Sequence, residues 1–184
     1  MKILMVFVLC LGSLAAVAQG ENNSLKGTPA SERFVFGMGI GGIGFSSTQD
    51  FVALQPSIGY MMTRRLLGGV NLTYRYTKYK GGPVPATFHD YGVAPFLRFI
   101  VTRNLFLHTE YEHLNYDYTD QRRSFNSFIA GGGFVQPVGN KATFYMMALY
   151  NFSYQDPATN VYSPYASPLI LRVGVSAGMF GIGF

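Results

Sequence analysis

The chain has 184 residues, the size of a single domain. Only 12% of it is charged while 16% is aromatic and 22 residues are glycine; an ordinary soluble domain carries about 25% charged residues, so this composition implies that much of the surface faces something other than water. The formal net charge of +5 comes from basic residues scattered along the chain rather than gathered into a stripe, which argues against nucleic-acid binding, and the one cysteine, Cys10, excludes a disulfide framework.

Residues 1–18 open with Lys2, continue through an unbroken apolar stretch from Ile3 to Leu11, and end in Ala16-Val17-Ala18. This is the layout of a cleaved secretory signal peptide, and it is too short for a membrane-spanning helix, which takes about twenty apolar residues. A lipid-modified Cys10 would need small residues just ahead of it, where Phe7-Val8-Leu9 stand. Cleavage removes the only cysteine and leaves no thiol chemistry. Residues 19–32, QGENNSLKGTPASE, are small and polar and read as a flexible periplasmic leader, followed by one domain over residues 33–184.

That domain opens with FVFGMGIGGIGF, in which Gly39, Gly41 and Gly44 spell G-x-G-x-x-G. A dinucleotide fingerprint requires a strand that turns tightly into a helix, so that bare glycine backbone and a helix N-terminus face the pyrophosphate. Here Phe-Ser-Ser-Thr-Gln-Asp follows, and then another alternating run, with no helical period. Counted by twos, Phe34, Phe36, Met38 and Ile40 share one face, and Val35, Gly37, Gly39 and Gly41 share the other. The segment is a strand, and no cofactor is expected.

The same alternation recurs in eight runs, approximately 33–46, 51–62, 66–79, 89–101, 105–117, 124–137, 141–154 and 167–184. In the second, Leu54, Pro56, Ile58, Tyr60 and Met62 alternate with Ala53, Gln55, Ser57, Gly59 and Met61; in the third, Val70, Leu72, Tyr74 and Tyr76 alternate with Gly69, Asn71, Thr73, Arg75 and Thr77. In a soluble sheet the large apolar face would be the core. In a membrane barrel it would meet lipid, with the small polar face filling the lumen. The connections favour the second reading. Thr63-Arg64-Arg65, Thr102-Arg103-Asn104 and Val138-Gly139-Asn140 are short, whereas Lys80 to Phe88 and Gln155 to Ala166 are long, which is the asymmetry of periplasmic turns and extracellular loops. The expected fold is an all-β, eight-stranded antiparallel up-and-down transmembrane barrel. An exported lipocalin-like barrel, with inverted faces and an apolar ligand inside, is the alternative.

The signal peptide, the stretch Ala94-Pro95-Phe96-Leu97-Arg98-Phe99 before a short turn, the Ala130-Gly131-Gly132-Gly133-Phe134 strand and the terminal Phe184 together resemble the small eight-stranded outer-membrane β-barrels of the OmpA/OmpX type, the "outer membrane protein beta-barrel domain" family. The resemblance implies a Gram-negative outer-membrane location, contact with outer-membrane lipid, and recognition of the last strand by the outer-membrane assembly machinery. Phe180, Ile182 and Phe184 match that alternating C-terminal signal.

Parity assigns Arg75, Arg98, Glu110 and Glu112 to the lumen, because an Arg facing lipid at the midplane costs about 2–4 kcal/mol. Buried charges demand partners, so these four are expected to form a structural ion-pair network that fills the barrel rather than a catalytic pair. Counting back from an outward Phe184 puts Arg172 on the lipid face unless a bulge at Gly178 or Gly181 resets the parity. A lipid-modifying hydrolase would need a Ser-His-acid constellation. His113 with Ser124 or Ser127 is the nearest approach to one, since His89 lies by a loop and His108 points inward below Glu110, and no cluster has metal-ligand spacing. The strand tyrosines read as an interfacial girdle, whereas Tyr162, Pro164 and Tyr165 in the longest loop are candidate contacts for an extracellular partner. A structural or surface-interaction role, not catalysis, is the expectation.

Overall fold

The alternating runs become eight antiparallel strands: β1 (Phe34–Phe45), β2 (Gln49–Met61), β3 (Leu66–Tyr79), β4 (Ala86–Ile100), β5 (Leu105–Tyr118), β6 (Gln121–Val138), β7 (Ala142–Asn151) and β8 (Leu169–Gly178). Each pairs with the next and β1 pairs with β8, so the sheet closes into an up-and-down barrel. The computed structural model describes residues 25–45, 49–80, 86–118, 121–139, 142–156, 164–165 and 167–178; residues 1–18, expected to form a signal peptide, and Phe180, Ile182 and Phe184, expected to form an assembly signal, lie outside them.

The faces follow the alternation. Leu54, Ile58, Leu72, Leu97, Leu107 and Val175 point outward and stay exposed, Leu72 by 54%, whereas Gln55, Asn71, Arg98, Glu110 and Glu112 point inward and are buried, Glu110 to 2%. The lumen is the charged side of this barrel and the outer wall is the apolar side.

Local chemistry makes the turns at one end tight. Thr63 Oγ1 accepts the backbone N–H groups of Arg65 and Leu66 at 3.2 and 3.0 Å, and Thr102 Oγ1 accepts those of Asn104 and Leu105 at 3.4 and 3.2 Å. In the third turn Gly139 takes φ +66°, the left-handed region that favours glycine. At the opposite end the expected long loops are found between β3 and β4 and between β7 and β8 only. β5 and β6 keep their alternation further than their cores suggested, and their ladder runs through Asp117↔Arg122 to Tyr118↔Gln121. The asymmetry between the two ends therefore rests on two loops.

The leader also differs from expectation. Among the described residues it begins with Leu25, which is 4% exposed and packs into the apolar cluster containing Val35, Met61, Leu67, Ile100 and Val135 at the turn end of the lumen. Arg33 holds the segment there by donating from Nη2 to the carbonyls of Leu25 and Thr28 at 3.0 and 2.9 Å. One leucine stoppers the barrel, and an arginine at the start of the barrel's own span ties down its backbone.

The glycines of the G-x-G-x-x-G stretch have structural work in the wall. The β1 to β2 register passes from Ile40↔Leu54 to Gly42↔Ala53, which makes Gly41 the extra residue of a β-bulge. Gly39, with Gly174 on β8, leaves room for the Tyr145 ring; a Cβ at Gly39 would stand 2.8 Å from the Tyr145 hydroxyl. Gly133 likewise faces the Phe106 ring. Gly39→Ala is expected to cost about 1–3 kcal/mol by overpacking, read as a lower urea midpoint for unfolding. Tyr145→Phe in the same chain should recover part of the loss, whereas equal loss in both would refute the packing account.

Candidate functional site

The lumen is built in layers along the barrel axis. Above the apolar stopper lies Arg98, whose guanidinium carbon sits 4.8 to 5.4 Å from the ring centres of Phe96, Phe106 and Tyr145. This is a cation enclosed by aromatic faces, an arrangement that offsets desolvation through the ring quadrupoles. Its Nε donates to His108 Nδ1 at 3.3 Å, so Nδ1 is the acceptor and the ring hydrogen resides on Nε2, which donates to Glu110 Oε2 at 3.0 Å.

Glu110 is the centre of the next layer. Arg172 on β8 crosses the lumen and grips it bidentately, Nη1 to Oε2 and Nη2 to Oε1, both at 2.9 Å, while Asn71 Nδ2 donates to Oε2 at 2.7 Å. Two residues further along β5, Glu112 accepts from Thr73 Oγ1 at 3.1 Å and from the Tyr165 hydroxyl. Nearer the loop end, Arg75 Nη1 donates to the Pro164 carbonyl at 3.0 Å, lies 3.9 Å from the Asp90 carboxylate and stacks over the Tyr165 ring at 5.5 Å. Burial, with the Glu112 carboxylate beside it, raises the Tyr165 phenol well above its ordinary pKa, so it is the donor in that contact.

All four charges assigned by parity therefore line the lumen, but their pairing differs from the expected one. Arg172, not Arg98 or Arg75, neutralises Glu110. Arg172 is inward and 3% exposed because β8 alternates with its even positions inside; Gly178 takes φ +120° at the strand's end. Asp90 shares its parity with Arg98 on β4, and that signal was sufficient to find it. Asn71 and Tyr145 carry no charge, and nothing in their spacing marked them. Tyr116, counted with the girdle, points inward and is buried.

Pro164 is half-buried at the rim, and Tyr165 does not project outward. The Tyr165 ring is turned into the lumen mouth, where Glu112 and Arg75 compensate its burial; Tyr162 lies outside the described residues. The barrel wall separates His113 from Ser127. Ser127 is fully buried on the lumen side and accepts from Asn151 Nδ2 at 3.1 Å, whereas His113 is exposed on the outer face with Nδ1 2.7 Å from Asn126 Oδ1. Ser124 shares the outer face but pairs with Asn115. Among the described residues no group of three His, Cys, Asp or Glu is placed to hold a metal.

Outside, Tyr74 bonds His89 Nδ1 at 2.9 Å and lies 5.6 Å from the Tyr91 ring toward the loop end, while Phe34 meets Tyr60 edge-on at 5.3 Å toward the turns. Large rings thus flank the apolar wall at both ends. No family model, curated protein or solved structure matches this chain.

Removing Arg172 strands the Glu110 carboxylate. Arg172→Met is expected to destabilise the barrel by about 3–5 kcal/mol, the range for breaking a buried pair on one side, measured by urea unfolding in micelles. Adding Glu110→Gln should restore a substantial part, and strict additivity of the two losses would refute the coupling.

Proposed function

We propose that this protein is a Gram-negative outer-membrane β-barrel, exported through a signal peptide at residues 1–18, with a packed lumen and a structural or surface-interaction role rather than a catalytic one. The observation that carries the reading is the inversion of the faces: an apolar outer wall between two sets of rings, around a lumen of buried, hydrogen-bonded charge. In water such a wall would be a large exposed apolar patch of the kind that marks an interaction site. In lipid it is the outward band of a transmembrane barrel, and all eight strands have at least 10 residues, enough to cross when tilted.

The packed layers argue against a pore. Leu25 and its cluster, the Arg98 cage, the Glu110 to Arg172 bridge and Tyr165 follow one another along the lumen, as expected where eight strands leave room only for side chains. The C-terminal pattern at Phe180, Ile182 and Phe184 is the segment offered to the outer-membrane assembly machinery, and an extracellular partner would meet the loop that leaves the rim at Gln155 and Asp156, both exposed.

Expressed with residues 1–18 in a Gram-negative host, the chain should fractionate with the outer membrane, resist carbonate extraction and show no steady single-channel steps in planar bilayers. Recovery from the periplasm without detergent would overturn the membrane reading, and stable conductance would overturn the packed lumen. Deleting residues 157–164 should reduce binding to cell or host surfaces while His113→Ala leaves the lipid profile unchanged. A lipid profile altered by His113→Ala would instead establish a lipid-active enzyme.

A further inference from the structure

At the loop end β5 and β6 rise past their neighbours. The β6 to β7 ladder stops at Ile129↔Asn151 and the β4 to β5 ladder at Tyr91↔Asn115, while β5 and β6 stay paired as far as Tyr118↔Gln121. The upper hairpin therefore has two edges of its own. Successive residues of an antiparallel strand direct their N–H and C=O groups to alternate sides. Phe128 turns both of its groups toward the end of β7: its carbonyl accepts the Phe152 N–H at 2.9 Å and its N–H donates to Ser153 Oγ at 3.0 Å. The backbone groups of Asn126, Ser124 and Arg122 share that direction, away from β5, and meet no partner among the described residues. The edge of β5 is treated differently. Asp90 Oδ1 accepts the Asp117 N–H at 3.0 Å, and Arg122 reaches over β5 to donate to Asn115 Oδ1 and the His89 carbonyl at 2.9 and 3.1 Å. Arg122 thus braces the far edge of the hairpin and leaves its own edge uncovered.

We infer that the β6 edge from Arg122 to Asn126 is a docking site for an extended segment of another protein, which adds to the sheet as a further strand beside β6. A row of paired donors and acceptors repeating every ~6.8 Å is the complement of another polypeptide backbone, not of a lipid or a sugar. The side chains set the character of the segment. Phe125 is half-buried with the Tyr165 ring 6.5 Å away, whereas Ser124 and Asn126 are exposed on the outer face. A segment alternating apolar or aromatic residues with small polar ones meets both sides. A second copy of this chain fits badly. Two copies in one membrane run their β6 strands in the same direction, so a shared edge would be parallel and would set Arg122 beside Arg122 and Arg123 beside Arg123; like charges across a ladder destabilise it. The inference rests on the membrane reading above, which turns this edge to the cell exterior, and it names a surface for the interaction role proposed there.

The test uses the full mature chain in lauryldimethylamine oxide micelles, with amide hydrogen exchange read by NMR. In the free chain the amides of Ser124 and Asn126 should exchange fast, and those of Arg123 and Phe125, which face β5, slowly. Labelled peptides alternating threonine with phenylalanine, tyrosine or valine are the probes, beside the same peptides N-methylated at adjacent central residues, which spoils both peptide edges. At least one unmethylated peptide should bind at millimolar concentration or below and slow exchange at Ser124 and Asn126, while its methylated form should not. Ser124→Pro removes an N–H that the ladder with β5 does not use, so it should weaken the peptide by about tenfold or more with the urea midpoint unchanged. The methylated comparison on the wild-type chain decides the matter even if that variant does not fold. Slow exchange at Ser124 and Asn126 in the free chain would show the edge already covered by this chain, and slowing that grows with protein concentration would show a second copy on it; either overturns the inference. So does failure of every unmethylated peptide to bind, equal binding of the methylated forms, or undiminished binding to folded Ser124→Pro. Edge pairing is read in micelles and the membrane location by cell fractionation, so each can fail without the other.

Discussion

Glu110 is a carboxylate removed from water and given four hydrogen bonds by three side chains, from Arg172, His108 and Asn71. Desolvating such a group costs several kcal/mol, and the cost is offset only where geometry satisfies its lone pairs. The requirement propagates through the lumen. It fixes the tautomer of His108, which in turn gives Arg98 an acceptor within its cage of rings, and it fixes the inward direction of Arg172 and hence the alternation of β8. Glycine at 39 and 174 then follows from the space Tyr145 occupies in the same layer.

The barrel was legible in the sequence because side-chain direction in a strand has a period of two, and one consistent choice of faces accounts for all eight runs. Parity also located Arg75, Arg98, Glu110 and Glu112. It left one side open where it was extrapolated: counting back from Phe184 puts Arg172 outside unless a bulge intervenes, whereas counting along β8 from Val173 and Val175, which lie on the outer wall, puts it inside. Tyr165 could not be read at all from parity, because a loop has no period and its direction was decided by Glu112 and Arg75, distant in the chain. Leu25 was hidden by its neighbours; a single apolar residue in a polar leader looks like composition until a hole of matching size is known.

The lumen is stabilised by two different kinds of physics at its two ends. Near the turns the stopper is apolar and includes a residue from outside the strands. Toward the loops buried apolar residues such as Leu114 and Ile129 share the interior with polar groups, whose specificity comes from donor and acceptor geometry, which tolerates less substitution than a greasy contact does. The Arg98 cage lies between them, a cation held by rings on one side of a histidine and by a hydrogen-bond network on the other.

The ladder between β1 and β8 runs only from Val35↔Gly178 to Ile40↔Val173 among the described residues. Arg172 stands next to that seam, yet its partner Glu110 is on β5, across the lumen. The bridge therefore acts as a spoke: tension that opens the seam is shared with the far wall instead of being carried by the short ladder alone. It also makes circular closure and charge neutralisation one event. A sheet that has assembled β1 to β7 but not received its last strand still displays Glu110 without its cation, so an unfinished barrel carries an electrostatic mark that the finished one has erased.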